Sequence, residues 1–274
     1  MLDSQLLHAL HVQAVRHSEL PVHGEPHALF QVSTIEALLH GAYDGDVTVA
    51  ELSERGDLGL GTFNALDGEL ILADGIVYRA AEDGSVHPAE LTRRSPFAVV
   101  TPFQPGVELY VGVPHDLDTL LSQLLPPSPT CTAVRIDGRF ELVHLRSVPP
   151  QHHPYPPLTE VLEGQRVFAE SDVCGVIVGF SFPAYSGRLN LPGSHLHFLS
   201  ADLSRGGHVL SCRLAEGTIR VDHEAEIEVE LPPGVELQVQ AGRVGGGSGS
   251  GSGGEESDGA EELLELERDR PQRN

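Results

Sequence analysis

Apolar residues in this chain come in short runs. Glu69-Leu70-Ile71-Leu72, Ile76-Val77-Tyr78-Arg79, Phe97-Ala98-Val99-Val100 and Val107-Glu108-Leu109-Tyr110-Val111 are rich in β-branched or aromatic residues. Runs of this kind suit strands and are too short for core helices. Ala73-Asp74-Gly75 joins the first two in a hairpin-like connection. Asp137-Gly138, between Cys131–Ile136 and Phe140–Leu145, is a strong hairpin signal. Further strands are predicted over 173–180, 194–199, 208–214, 219–221 and 226–231. In the last, Ile227, Val229 and Leu231 alternate with Glu226, Glu228 and Glu230, which predicts one wet face.

Helical spacing is confined to four places. Leu2, Leu6, Leu7, Leu10 and Val15 predict a peripheral helix within 1–20. Ser33 to Leu39 predicts a second, with Ser33 as N-cap and Glu36 completing a capping box. Asp116–Leu125 and Leu158–Phe168 predict two more. The expected fold is therefore mixed α+β, with two domains of β-rich mixed sheets and few helices. The crossing Pro149-Pro150-Gln151-His152-His153-Pro154-Tyr155-Pro156-Pro157 suits a boundary between domains at 1–148 and 149–244. A Gly/Ser tether at 245–254 and an acidic tail at 255–274 follow.

Composition excludes several functions. The net charge is −23, which argues against a role resting on phosphate contacts, since nucleic acid and anionic lipid both need a basic face. All 17 basic residues are arginine. The absence of lysine removes Schiff-base chemistry, covalent anchoring of pyridoxal phosphate and a P-loop. Cys131, Cys174 and Cys212 are odd in number and widely spaced, and read as buried free thiols in a reducing compartment. No segment has the length of a membrane span, and Met1–Gln5 shows no signal-peptide pattern, so the expectation is a cytoplasmic protein.

The sharpest local feature is Gly193-Ser194-His195-Leu196-His197-Phe198, followed by Gly206-Gly207-His208. Residues two apart on a strand share a face, so His195 and His197 project together. The turn-rich 202–207 segment would return His208 beside His197. Three imidazoles on one sheet face form an open metal site, with positions left for water or substrate. The spacing itself selects neither the metal nor the reaction. By itself, Gly61-Thr62-Phe63-Asn64-Ala65-Leu66-Asp67-Gly68-Glu69 reads as an ordinary turn delivering Glu69 to a strand start.

In order along the chain, several stretches resemble the α-acetolactate decarboxylase family. They are Thr34–Gly45, Gly56–Phe63 with Leu66–Glu69, Arg146–Pro149 with Pro154–Leu158, Val178–Phe180, Pro192–Phe198 and Gly206–Leu210. The resemblance implies a two-domain mixed α/β fold, a homodimer, and conversion of the small molecule 2-acetolactate to (R)-acetoin and CO2. It implies zinc on His195, His197 and His208, and a zinc-stabilised enediolate intermediate. Glu69 falls on the acid/base carboxylate, Arg146 on the substrate-binding arginine and Thr62 on a hydroxyl contact. Glu267 is the nearest match to a second catalytic glutamate in the tail. Ser194 stands where the family commonly has an aromatic, and Cys174-Gly175 replaces a Gly-Thr step. Two other readings fit the histidines: a cupin-like metal oxygenase or isomerase, with Asp202 near its carboxylate slot, and a non-enzymatic acidic domain holding a structural metal.

Overall fold

The computed structural model describes residues 11–15, 27–124, 130–187 and 189–231. The chain first forms β1 (His11–Val15), β2 (Ala28–Val32), helix α1 (Ile35–Leu39), β3 (Val47–Thr48), helix α2 (Val49–Arg55) and β4 (Leu58–Thr62). Next come β5 (Glu69–Ala73), β6 (Ile76–Ala80), β7 (Val86–Pro88), β8 (Arg94–Ser95), β9 (Phe97–Thr101), β10 (Val107–Val111) and β11 (His115–Asp116). Helix α3 (Leu117–Leu124), β12 (Cys131–Ser147), helix α4 (Leu158–Glu163), β13 (Arg166–Phe182), β14 (Gly193–Ser200), β15 (Gly206–Glu224) and β16 (Glu226–Glu230) complete it. Among the described residues, no helix is long and apolar enough to cross a membrane.

Two sheets carry the fold. One has eight strands in the order β1-β16-β2-β9-β4-β5-β6-β7, and the other runs β10-β15-β12-β13-β14. Because β14 also pairs with β15, the strands β12 to β15 close on themselves. Alternation along each strand assigns residues to cores. On β14, Leu196 and Phe198 enter the core of the second sheet with Phe140, Val143 and Leu214. Leu199 instead joins Leu60, Ile71, Val99, Val178 and Phe180 between the two sheets. His195 and His197 share the face of Leu199. The outer face of the first sheet packs Leu70, Leu72 and Val100 under Val49 and Leu52 of α2.

Several sequence expectations are corrected. Residues 11–15 are not helical but form β1, parallel to β16; sheet pairing overrides the local spacing. At α1 the N-cap is Thr34, whose side chain accepts from Ala37 N. Ser33 is displaced from that role because its N–H still donates to Glu230 O of the sheet, at 2.7 Å. A capping box does form, at Thr48 and Glu51 of α2. The helix expected to reach Phe168 stops at Glu163, capped by Gly164, and Phe168 pairs with Leu145 in a sheet. The glutamate face of β16 is only partly wet: Glu226 and Glu228 are half-buried. Glu230 is buried there and Glu228 meets Arg55 at 3.5 Å. Cys131 and Cys212 are buried, but Cys174 is exposed.

The Asp137-Gly138 pair makes no hairpin. β12 runs through it, and Gly138 sits opposite Gly175 of β13 and Gly217 of β15. A Cβ at Gly138 would lie 2.4 Å from Glu216 O. Glycine here serves close approach of three long strands rather than a turn. Asp137 is held by Arg135 and Arg220. Nor do the sheets divide at the Pro/His-rich crossing. The chain leaves the first sheet between Thr101 and Val107, and β16 returns to it.

At the end of β15, Glu224 is fully buried opposite Cys131. Burial pushes its carboxyl up to about 7, against the Thr101 hydroxyl and with Asp222 adding to the rise. A folded-state pKa above the ordinary value means that the unfolded chain gives up this proton first. Stability is therefore lost as pH rises from the ordinary carboxylate range through about 7. Glu224→Gln is expected to stabilise the protein by up to roughly 3 kcal/mol at pH 8, and hardly at all near pH 4. Urea unfolding of both proteins at the two pH values checks this; an equal difference at both would contradict it.

Candidate active site

His197 and His208 are directly opposed on β14 and β15, and Arg146 of β12 is opposite His208 on its other side. The tight β14–β15 return thus does what the sequence suggested. The ring centroids lie 5.2 Å apart for His195–His197, 5.0 Å for His195–His208 and 5.5 Å for His197–His208. One ring nitrogen from each lies within 4.8 Å of the others.

His197 is fitted to bind a metal. Its Nδ1 faces Leu70 O at 2.8 Å, and because a carbonyl only accepts, Nδ1 carries the hydrogen. That leaves the Nε2 lone pair directed into the site. Nε2 is buried, makes no hydrogen bond, and lies 3.5 Å from Glu69 Oε2. Burial holds the ring's pKa well below its ordinary value, with His195, His208 and Arg146 adding to this effect against the pull of Leu70 O. A neutral imidazole whose far nitrogen is fixed by a carbonyl is a typical metal ligand. Imidazole donors of this kind suit zinc as well as other transition metals.

Glu69 arrives from the other sheet. It opens β5 and shares a face with Ile71 and Ala73, both in the core between the sheets. Thr62 of β4 is its cross-strand partner and donates to Gly68 O at 3.0 Å. Gly68 has φ +101°, and a Cβ there would lie 2.6 Å from Ala80 O, so only glycine fits this corner. The turn before Glu69 is further held by Asp67, which accepts from Arg79 and Arg93. Burial pulls the pKa of Asp67 upward, but these hydrogen bonds keep it below the ordinary range.

Thr62, Glu69, Arg146, His195 and His208 line one cleft. Its remaining wall is apolar: Ile35 and Leu38 come from α1, Leu158 and Leu162 from α4, and Leu66 from the turn before Glu69. The sequence predicted helices at α1 and α4, but not their part in the wall. Helical stripes look alike whether they cover a core or a ligand. Ser194 is exposed and does not line the cleft. Asp202 is engaged with Ser200 and Ser204 in the β14–β15 turn, so it does not fill a cupin-like carboxylate position. Glu267 lies outside the described residues, as do the expected tether and tail.

A family model for alpha-acetolactate decarboxylase matches residues 29–240. The chain is 40% identical over 215 residues to the alpha-acetolactate decarboxylase of Methylococcus capsulatus, covering 77% of this chain and 83% of that one. It is 39% identical over 207 residues to that of Bacillus subtilis, covering 74% and 81%. The crystal structure of the B. subtilis enzyme superposes with a TM-score of 0.73 at 38% identity, covering 75% of this chain and 89% of that one. A Staphylococcus aureus protein of unknown function, similar to alpha-acetolactate decarboxylase, gives 0.76 at 28% identity, covering 87% and 99%. A match spanning most of the chain, at this level of identity, places it in the alpha-acetolactate decarboxylase family.

Proposed function

We propose that the cleft decarboxylates 2-acetolactate to (R)-acetoin with zinc on His195, His197 and His208. The observation that carries this reading is the convergence of three imidazoles at a partly apolar cleft of a family member, two of them lining it with Glu69 and Arg146 and the third, His197, facing Glu69. Zinc, when bound, supplies positive charge next to the substrate oxygens on which negative charge collects as CO2 leaves.

The chain's own residues do the rest. Arg146, buried on β12, holds the departing carboxylate with its planar fork. Loss of CO2 leaves the bonding electron pair on the former α-carbon, delocalised onto oxygen. Glu69 then protonates that carbon. Arg146 and Glu69 reach the substrate from different sheets, so the proton arrives from one side only and a single enantiomer results. The Thr62 hydroxyl, already donating to Gly68 O, offers its lone pairs toward the cleft. The walls from α1 and α4 shelter the methyl groups and keep bulk water from competing as proton donor.

The test is incubation with racemic 2-acetolactate, following CO2, acetoin chirality and dissolved oxygen. The expected result is one CO2 per (R)-acetoin, with no oxygen consumed. Oxygen uptake without acetoin would instead support an oxygenase.

A further inference from the structure

The turn leading to Glu69 uses backbone conformations that side chains rarely adopt. φ is +60° at Ala65, +52° at Leu66 and +101° at Gly68. Such a backbone persists only where its surroundings over-determine it. The front of the turn is tied by Ala65, whose N–H donates to Tyr43 O at 2.8 Å and whose carbonyl accepts from Gln151 N at 2.7 Å. Asn64 exchanges two hydrogen bonds with the Gly45 backbone, each 3.0 Å.

The back of the turn depends on Asp67. One carboxylate oxygen accepts from Arg79 and the other from Arg93, while Arg79 Nε also donates to the Asp67 carbonyl at 2.7 Å. Arg79 sits on β6 directly opposite Leu70, the residue after Glu69. The Arg93 guanidinium rests over the Phe63 ring at 4.9 Å. The clamp therefore ties Asp67 to β6 through Arg79 and to Phe63, at the front of the turn, through Arg93; it acts two residues from Glu69 and one from Leu66 in the cleft wall.

We propose that Asp67, gripped by Arg79 and Arg93, is a positioning residue that fixes the direction from which Glu69 delivers its proton. None of the three lines the cleft, and their side chains are 23–30% exposed. With no contact to the cleft, the clamp can act on the reaction only through the turn that carries Glu69. The proposal rests on the reading of Glu69 as proton donor, and its test separates the two.

Asp67→Asn keeps one acceptor but turns an amide N–H2 toward an arginine. Its kcat is expected to fall by between roughly ten- and a hundred-fold, the scale of a small misplacement of a reacting group. KM, metal content and melting temperature should stay near wild type, and the enantiomeric excess of acetoin should drop. Partial unfolding would lower yield without changing chirality. Arg79→Lys loses the two-point contact and should shift chirality in the same direction, which keeps the test open if Asp67→Asn folds poorly. Glu69→Gln is the control, expected to give slow turnover and nearly racemic acetoin. If that control erodes chirality while Asp67→Asn and Arg79→Lys match wild type, the clamp does not position Glu69. If Glu69→Gln itself keeps full chirality, Glu69 is not the donor and the clamp proposal falls with it.

Discussion

His197→Ala is expected to remove both the bound metal and essentially all activity. His197 is the most enclosed of the three imidazoles, 1% exposed, and its ring is locked by Leu70 O. Alanine leaves two donors where an open site needs three. Metal content should fall from about one per chain to near zero. The rate should drop by roughly a thousand-fold or more, because charge stabilisation worth several kcal/mol is lost. His195→Ala and His208→Ala should behave alike, since each supplies one of the three converging nitrogens. Metal analysis of the purified variants together with their turnover checks this. Full metal retention by any of the three would remove that residue from the ligand set.

Glu69 and Arg146 should separate in their effects. Glu69→Gln keeps the shape of the side chain and leaves the histidines untouched, so metal and substrate should still bind. Turnover should fall by roughly a hundred-fold or more, the scale of a positioned acid/base group. Arg146→Lys should raise KM and also lower kcat, because a bidentate fork becomes a point charge on a shorter side chain. Steady-state kinetics of both variants decide this. Normal turnover by Glu69→Gln would contradict its role as proton donor. An unchanged KM in Arg146→Lys would place the carboxylate elsewhere.

Much of the site was legible because β geometry is periodic. His195-x-His197 had to share a face, and the return after β14 had to be short enough to set His208 opposite His197, as β14 and β15 do. Glu69 was visible as a strand start. Its role was carried by resemblance rather than by spacing, because its partners come from a sheet distant in sequence. The apolar wall from α1 and α4 left no signal of its own. The Asp67 clamp was hidden for a related reason: an Asp-Gly pair reads as a turn whether or not arginines from residues 79 and 93 grip the carboxylate. The same pair misled at Asp137-Gly138, where glycine permits strand crowding instead. Register between distant strands is tertiary information. It turned an expected hairpin into one long strand, and part of an expected N-terminal helix into β1.

If 2-acetolactate is decarboxylated in this cleft only with a metal on His195, His197 and His208, acetoin formation must follow the metal. The most direct measurement follows acetoin formation by the wild-type protein as purified, after exhaustive chelation, and after stoichiometric zinc is returned. Activity should disappear on chelation and return with zinc, giving (R)-acetoin each time. Undiminished acetoin formation by protein shown to be metal-free would contradict it.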